Sequence, residues 1–174
     1  MVSTKCLAAN GHSITPGHLS LGLSVYIADS KAQAVKECGP YLLYFNSTLF
    51  SHGNFTETSL QQQFGYTSDA SRDYVRPENM RAAQHAREDF RDMTMEDVAR
   101  LAERLPWGTP QEVAQRIIAL GDHTGADTVQ IGFNRGAMPQ EMFLEQIRRF
   151  ARDVLPIVQA HQVKRVPAAE EFVV

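Results

Sequence analysis

The sequence predicts an α/β protein, and three observations carry that prediction. Residues 19–27 place Leu19, Leu21, Leu23, Val25 and Ile27 on one face at period two, which is strand spacing. Residues 109–125 carry start and stop signals for a helix. Thr128-Val129-Gln130-Ile131-Gly132-Phe133 reads as a short buried strand, and a second helical pattern opens at Pro139. Helix, strand, helix with short loops between is an α/β repeat.

In chain order, residues 1–18 are polar, contain Gly11, Pro16 and Gly17, and read as a flexible lead-in. Asp29 or Ser30 caps a helix that runs through Ala32, Ala34, Val35 and Cys38. Gly39-Pro40 is expected to interrupt it, because proline lacks a backbone donor. Tyr41-Leu42-Leu43-Tyr44-Phe45 and Leu49-Phe50 resume an aromatic-rich helical stretch. Residues 51–80 lack periodicity, and a stretch that long without regular structure is either functional or disordered. Residues 79–105 mix Arg81, Arg87 and Arg91 with Glu88, Asp89 and Asp92, the signature of a solvated helical face. Thr94-Met95-Glu96-Asp97 caps a short helix with Val98, Leu101 and Ala102 inward.

Leu105-Pro106-Trp107 is a poor strand on local pattern, since Pro106 cannot donate to a ladder. Thr109 then caps a helix, with Pro110 at its first position and Glu112 three residues after the cap. Val113, Ile117 and Leu120 form its buried face, with Ala114 and Ile118 beside them, and Gly121 and Gly125 mark its end. The last helix is expected to bury Phe143, Ile147, Phe150 and Val154, flanked by Leu144, Ala151 and Leu155. Pro167 and the acidic residues near it suggest a frayed tail over 160–174.

The chain has 174 residues, enough for one domain with a real core. A net charge of −3 gives no basic field for nucleic acid or an anionic membrane. No apolar run is long enough to span a bilayer, and the N-terminus lacks a sustained apolar stretch, so a cytoplasmic location is expected. Cys6 and Cys38 then read as reduced thiols, and the sequons at Asn46 and Asn54 as chance. The six histidines show no ligand spacing, so no metal site is expected. His123 lies near a helix C-terminus, where an imidazolium complements the dipole.

Gly108-Thr109-Pro110-Gln111-Glu112-Val113, Thr124-Gly125-Ala126-Asp127, Ile131-Gly132-Phe133 and Phe150-Ala151-Arg152-Asp153-Val154-Leu155-Pro156 occur in an ordered series. The series resembles the C-terminal end of the luciferase-like flavin monooxygenases, and the likeness extends over most of residues 19–160. The resemblance implies the C-terminal portion of a (β/α)8 TIM barrel with a long irregular lid-like insertion. It implies a strand ending just before Gly108 and a lid over residues 52–78 that shuts water out. It also implies reduced flavin as cofactor, FMN by family habit with deazaflavin as the alternative, and O2 with a small organic substrate.

By the same resemblance, an aromatic side chain near residue 45 lies against the flavin. Phe45 matches best, with Tyr44 its neighbour, and core packing is the other reading of both. Asn134 and Arg135 follow the last strand, on the catalytic face of a barrel. There they either meet an anionic or carbonyl ligand or stand as solvated loop residues. Gly108 and Thr109 share that face, although luciferases hold the flavin phosphate mainly on earlier strands.

A complete barrel takes about 250 residues. The strands that supply most flavin contacts in the family have no counterpart here. The expectation is a C-terminal segment completed by a missing N-terminal barrel half, or a homodimer pairing its open strand edges. The alternative is a catalytically inactive truncated homologue that binds a partner or stabilises an oligomer.

Overall fold

Two parallel pairings organise the computed structural model, which describes residues 9–11, 19–50 and 89–163. The expected lid of 52–78, most of the lead-in, and the tail beyond residue 163 lie outside the described residues. Strand β1 (Ser20–Ser24) is followed after Val25 by strand β2 (Tyr26–Ile27). Helix α1 (Lys31–Tyr44) continues into a π-helical turn at Phe45–Phe50. Helix α2 (Met95–Ala102), strand β3 (Trp107–Gly108), helix α3 (Pro110–Thr124) and strand β4 (Thr128–Gly132) come next. Helix α4 (Gln140–Arg149) passes through a second π-helical turn, Phe150–Val154, into helix α5 (Leu155–Gln159). The α/β class is thus present, with parallel strands.

The ladder order differs from that of a barrel. Strand β1 pairs with β4, Ser20 opposite Thr128 through Ser24 opposite Gly132. Strand β2 pairs with β3, Tyr26 opposite Trp107. The amide of Val25 donates to Gly132, whereas those of Tyr26 and Ala28 donate to Pro106 and Gly108. Successive amides of a strand point to opposite edges, so the 20–28 segment lies between β3 and β4. A closed barrel would seat β4 beside β3, its predecessor in sequence.

The reversal explains the layering. The chain steps one way from β2 to β3, then back past β2 to β4. Right-handed crossovers then require the connecting helices on opposite faces. Tyr26 and Ala28 enter a core with Ala34, Cys38, Leu42, Val98 and Ala102 of α1 and α2. Val25 and Ile27 enter a second core with Val113, Ala114 and Ile117 of α3 and with Phe150 and Val154. Burying Val113 and Ile117 contributes roughly 1.5–3 kcal/mol each. The single-face reading of Leu23, Val25 and Ile27 therefore agrees with the structure.

The capping signals are realised. Thr109 accepts from the Glu112 amide at 3.3 Å, and the Glu112 carboxylate accepts from the Thr109 amide at 2.8 Å. Thr94 and Asp97 make the same reciprocal pair at the start of α2. Gly125 ends α3 at φ 72°, a left-handed position that glycine occupies without strain. The strand before Gly108 also forms, because Pro106 sits at its start and only accepts, from Tyr26. Trp107, buried beside Tyr26, leaves its Nε1 without an acceptor among the described residues.

Two expectations fail. Gly39-Pro40 does not interrupt α1, which is continuous from Lys31 to Tyr44. Pro40 is exposed, so its missing donor falls on the solvent side, while Ala34, Cys38 and Leu42 hold the opposite face. Gly39 meets α2 so closely that a Cβ there would lie 2.7 Å from Met95 Cε. In α4, Ile147 is 38% exposed and Gln146 takes the inward position at 3%.

Gln146 is inward because a strand edge needs it. Strand β4 ends opposite Ser24, so the amide and carbonyl of Ile27 have no strand beside them on that edge. The Gln146 side chain fills the gap: its Oε1 accepts from the Ile27 amide at 2.7 Å, and its Nε2 donates to the Ile27 carbonyl at 3.0 Å. A primary amide offers the same donor and acceptor as a peptide group, so it continues the ladder where β4 stops.

Candidate functional site

The residues nominated from sequence divide into two groups. Tyr44 and Phe45 stand at the end of α1, and Asn134 and Arg135 follow β4, some ninety positions later. The structure brings these pairs together. The Arg135 guanidinium lies over the Phe45 ring, its carbon 5.8 Å from the ring centroid. Arg135 Nε donates to Ser24 Oγ at 2.8 Å, at the C-terminal end of β1.

Gly136 closes the contact. At φ 54° it turns the loop, and a Cβ there would lie 2.8 Å from Tyr44 Cδ1 and 3.1 Å from the Tyr41 carbonyl. The loop backbone therefore lies directly against the end of α1. Asn134 is exposed and its carbonyl accepts from Arg135. Tyr44 is 46% exposed, whereas Phe45 is half-buried with one face under the guanidinium. The open aromatic surface at this edge is thus that of Tyr44, rather than Phe45, the better match to the family.

Gly108 and Thr109 form the other group. No hydrogen bond or ion pair joins them to Arg135. The Gly108 carbonyl accepts from Ala28 at 2.8 Å, and the Thr109 amide and hydroxyl both face the Glu112 carboxylate. The backbone amide of Thr109, and then its hydroxyl, hold the Glu112 carboxyl below its ordinary range. The start of α3 already contains a carboxylate, so Thr109 caps the helix and its donors are turned to Glu112 rather than to a phosphate.

Burial pushes the Cys38 thiol up to about 12, so it stays protonated and is no ready nucleophile. Burial first, then the Glu37 charge, raises Tyr26 above its usual range; its hydroxyl donates to Glu37 at 3.1 Å. Gln33 donates to the other oxygen of that carboxylate at 2.6 Å. Among the described residues, no three His, Cys, Asp or Glu side chains gather as a metal group. No described helix is long and apolar enough to cross a membrane. The edge at Tyr44, Phe45 and Arg135 thus sets aromatic surface beside a guanidinium, a combination suited in its chemistry to an aromatic or anionic group.

A groove of about 470 Å³ lies at the opposite end of β4, between α3 and α5, walled by Ile117, Val129, Phe150 and Val158. His161, which lines it, pairs with Asp122 at 2.9 Å. Ala126, Asp127 and Thr128 at the N-terminal end of β4 line the groove, and Arg135 does not. In open α/β sheets ligands bind at the carboxyl ends of strands, so position favours the Arg135 edge over this groove.

Sequence reasoning missed Ser24, Gly136 and Gln146. Ser24 had a signal: Ser20, Gly22 and Ser24 form the small, polar face opposite the leucines. No protein-family model matches the chain, and no curated protein sequence matches it.

Proposed function

We propose that the chain is the C-terminal segment of a luciferase-like, flavin-dependent monooxygenase of the cytoplasm. It uses reduced FMN, or a deazaflavin, and O2 on a small organic substrate. The observation that carries the reading is the meeting of Tyr44 and Phe45 with Arg135 and Gly136 at the carboxyl edge of parallel strands. Tyr44 and Phe45 were nominated by the resemblance, and Arg135 separately by its place after the last strand.

The residues fit a flavin in character: the half-exposed Tyr44 ring for a planar heterocycle, a cation over the neighbouring Phe45 ring, and the Gly136 backbone close against Tyr44. When bound, the flavin supplies electrons and activates oxygen. Tyr44 would provide a wall, and Arg135 would orient the polar edge of the ligand. Barrel geometry would require β4 to move beside β3 when the remaining strands join. Saturable quenching of FMN fluorescence by the folded chain, weakened by Tyr44→Ala, tests the reading.

The second reading is a non-catalytic module that binds a partner or stabilises an oligomer. It is favoured by the outer edge of β4, which pairs with no further strand among the described residues. Concentration-dependent dimerisation without flavin binding would select it.

A further inference from the structure

Arg135 carries a charge without a counter-charge among the described residues. None of the ion pairs among the described residues includes it, although Arg149, Arg152 and Arg100 each have a carboxylate. Its hydrogen bonds go to neutral oxygens, Ser24 Oγ at 2.8 Å and the Asn134 carbonyl at 3.5 Å. Glu37 is occupied by Tyr26 and Gln33, and Asp29 by Arg149. Cys38, near enough to sense the guanidinium, remains a neutral thiol.

The side chain is also held in place. It folds back over Gly132, where a Cβ would lie 3.5 Å from Nη2 and 3.6 Å from Nη1. Ser24 fixes Nε and the Phe45 ring lies beneath the plane. Partly buried charges are normally paired, because removing them from water is costly. A fixed guanidinium fork matches the two oxygens of a carboxylate or phosphate.

We propose that Arg135 receives an oxyanion, a carboxylate or a phosphate, at the edge between Ser24 and Phe45. This rests on the reading of that edge as a ligand site and names the group the ligand presents. The group comes either from the cofactor, as a phosphate, or from the substrate, as a carboxylate.

The test is calorimetric titration of the full chain with sodium phosphate and with sodium benzoate at constant ionic strength. Saturable binding of either anion is expected, weakened about tenfold or more by Arg135→Gln. Arg135→Lys should recover part of the loss. Arg148→Gln, a change at an exposed pair, should leave binding unchanged. Preference for phosphate supports the cofactor as source, and preference for benzoate the substrate. Absence of saturable binding of both anions, or equal binding by Arg135→Gln, overturns the proposal.

If Arg135→Gln fails to fold by circular dichroism, Ser24→Ala decides. It keeps the charge but frees Nε, and should weaken binding several-fold; unchanged affinity refutes the proposal. Riboflavin carries neither group, so its binding reports the flavin reading alone. Riboflavin binding without anion binding overturns the Arg135 proposal and leaves the flavin reading standing. Anion binding that depends on Arg135, without riboflavin binding, does the reverse.

Discussion

Replacing Gln146 by leucine should cost more stability than any hydrophobic deletion of similar size on α4. The side chain is 3% exposed and makes two hydrogen bonds to Ile27, a residue with no exposed surface. Leucine fills much of the same volume but leaves the Ile27 amide and carbonyl without partners, and water cannot reach them unless the sheet opens. An orphaned buried group costs about 1–3 kcal/mol. Two such groups, offset by the better burial of leucine, give a net loss of about 3 kcal/mol. For a chain of this size that lowers Tm by roughly 6–12 °C. Urea unfolding followed by circular dichroism measures the loss, and hydrogen exchange at the Ile27 amide localises it. A loss below about 1 kcal/mol with unchanged Ile27 exchange would refute the ladder-extension argument.

Three further perturbations probe the loop and the helices. Gly136→Ala should destabilise by about 1–3 kcal/mol and displace Arg135 from Phe45, since φ is positive and the new Cβ meets Tyr44; a shift of the Tyr44 ring resonances would report it. Pro40→Ala should stabilise by about 1 kcal/mol, the regained helical hydrogen bond exceeding the greater entropy of the unfolded chain, and a fall in Tm would contradict this. Glu112, whose folded carboxyl titrates below the ordinary 4.5, contributes stability that is complete above that pH and is lost as pH falls through the folded value. Glu112→Gln should therefore flatten the acid limb of the stability profile below about pH 5 while changing little at higher acidity, where the wild-type carboxyl is already protonated.

What was legible in the sequence was local. The start of α3 could be read residue by residue because Thr109, Pro110 and Glu112 act within one turn. The strand face of Leu23, Val25 and Ile27 was equally open to reading, because period two is set by the backbone. Strand order was not legible: nothing in Thr128–Gly132 says which edge of which strand it will take. Ile147 and Gln146 show the same limit on a smaller scale. Both continue from Phe143 at helical spacing, and apolarity alone prefers isoleucine. The unpaired edge of Ile27, created by the end of a strand far away in sequence, gives the inward place to glutamine. The π-helical turn at Phe150–Val154 also shifts the phase of the face that follows.

The candidate site was half legible. Tyr44, Phe45, Asn134 and Arg135 were nominated, and the structure joins Phe45 to Arg135. Gly108 and Thr109 were nominated with them, yet both donors of Thr109 face the Glu112 carboxylate in the cap, and the Gly108 carbonyl accepts from Ala28 in the strand pairing. The capping box that made the helix easy to read is also what turns the Thr109 donors toward Glu112.

Flavin binding at the Tyr44 and Arg135 edge, as proposed above, is open to direct measurement. Its most direct test is a titration of FMN with the purified chain, followed by fluorescence quenching and repeated with the reduced flavin by calorimetry. Saturable binding of both forms in about the micromolar range is expected, weakened roughly tenfold by Tyr44→Ala. A chain that is folded by circular dichroism and binds neither form would contradict it.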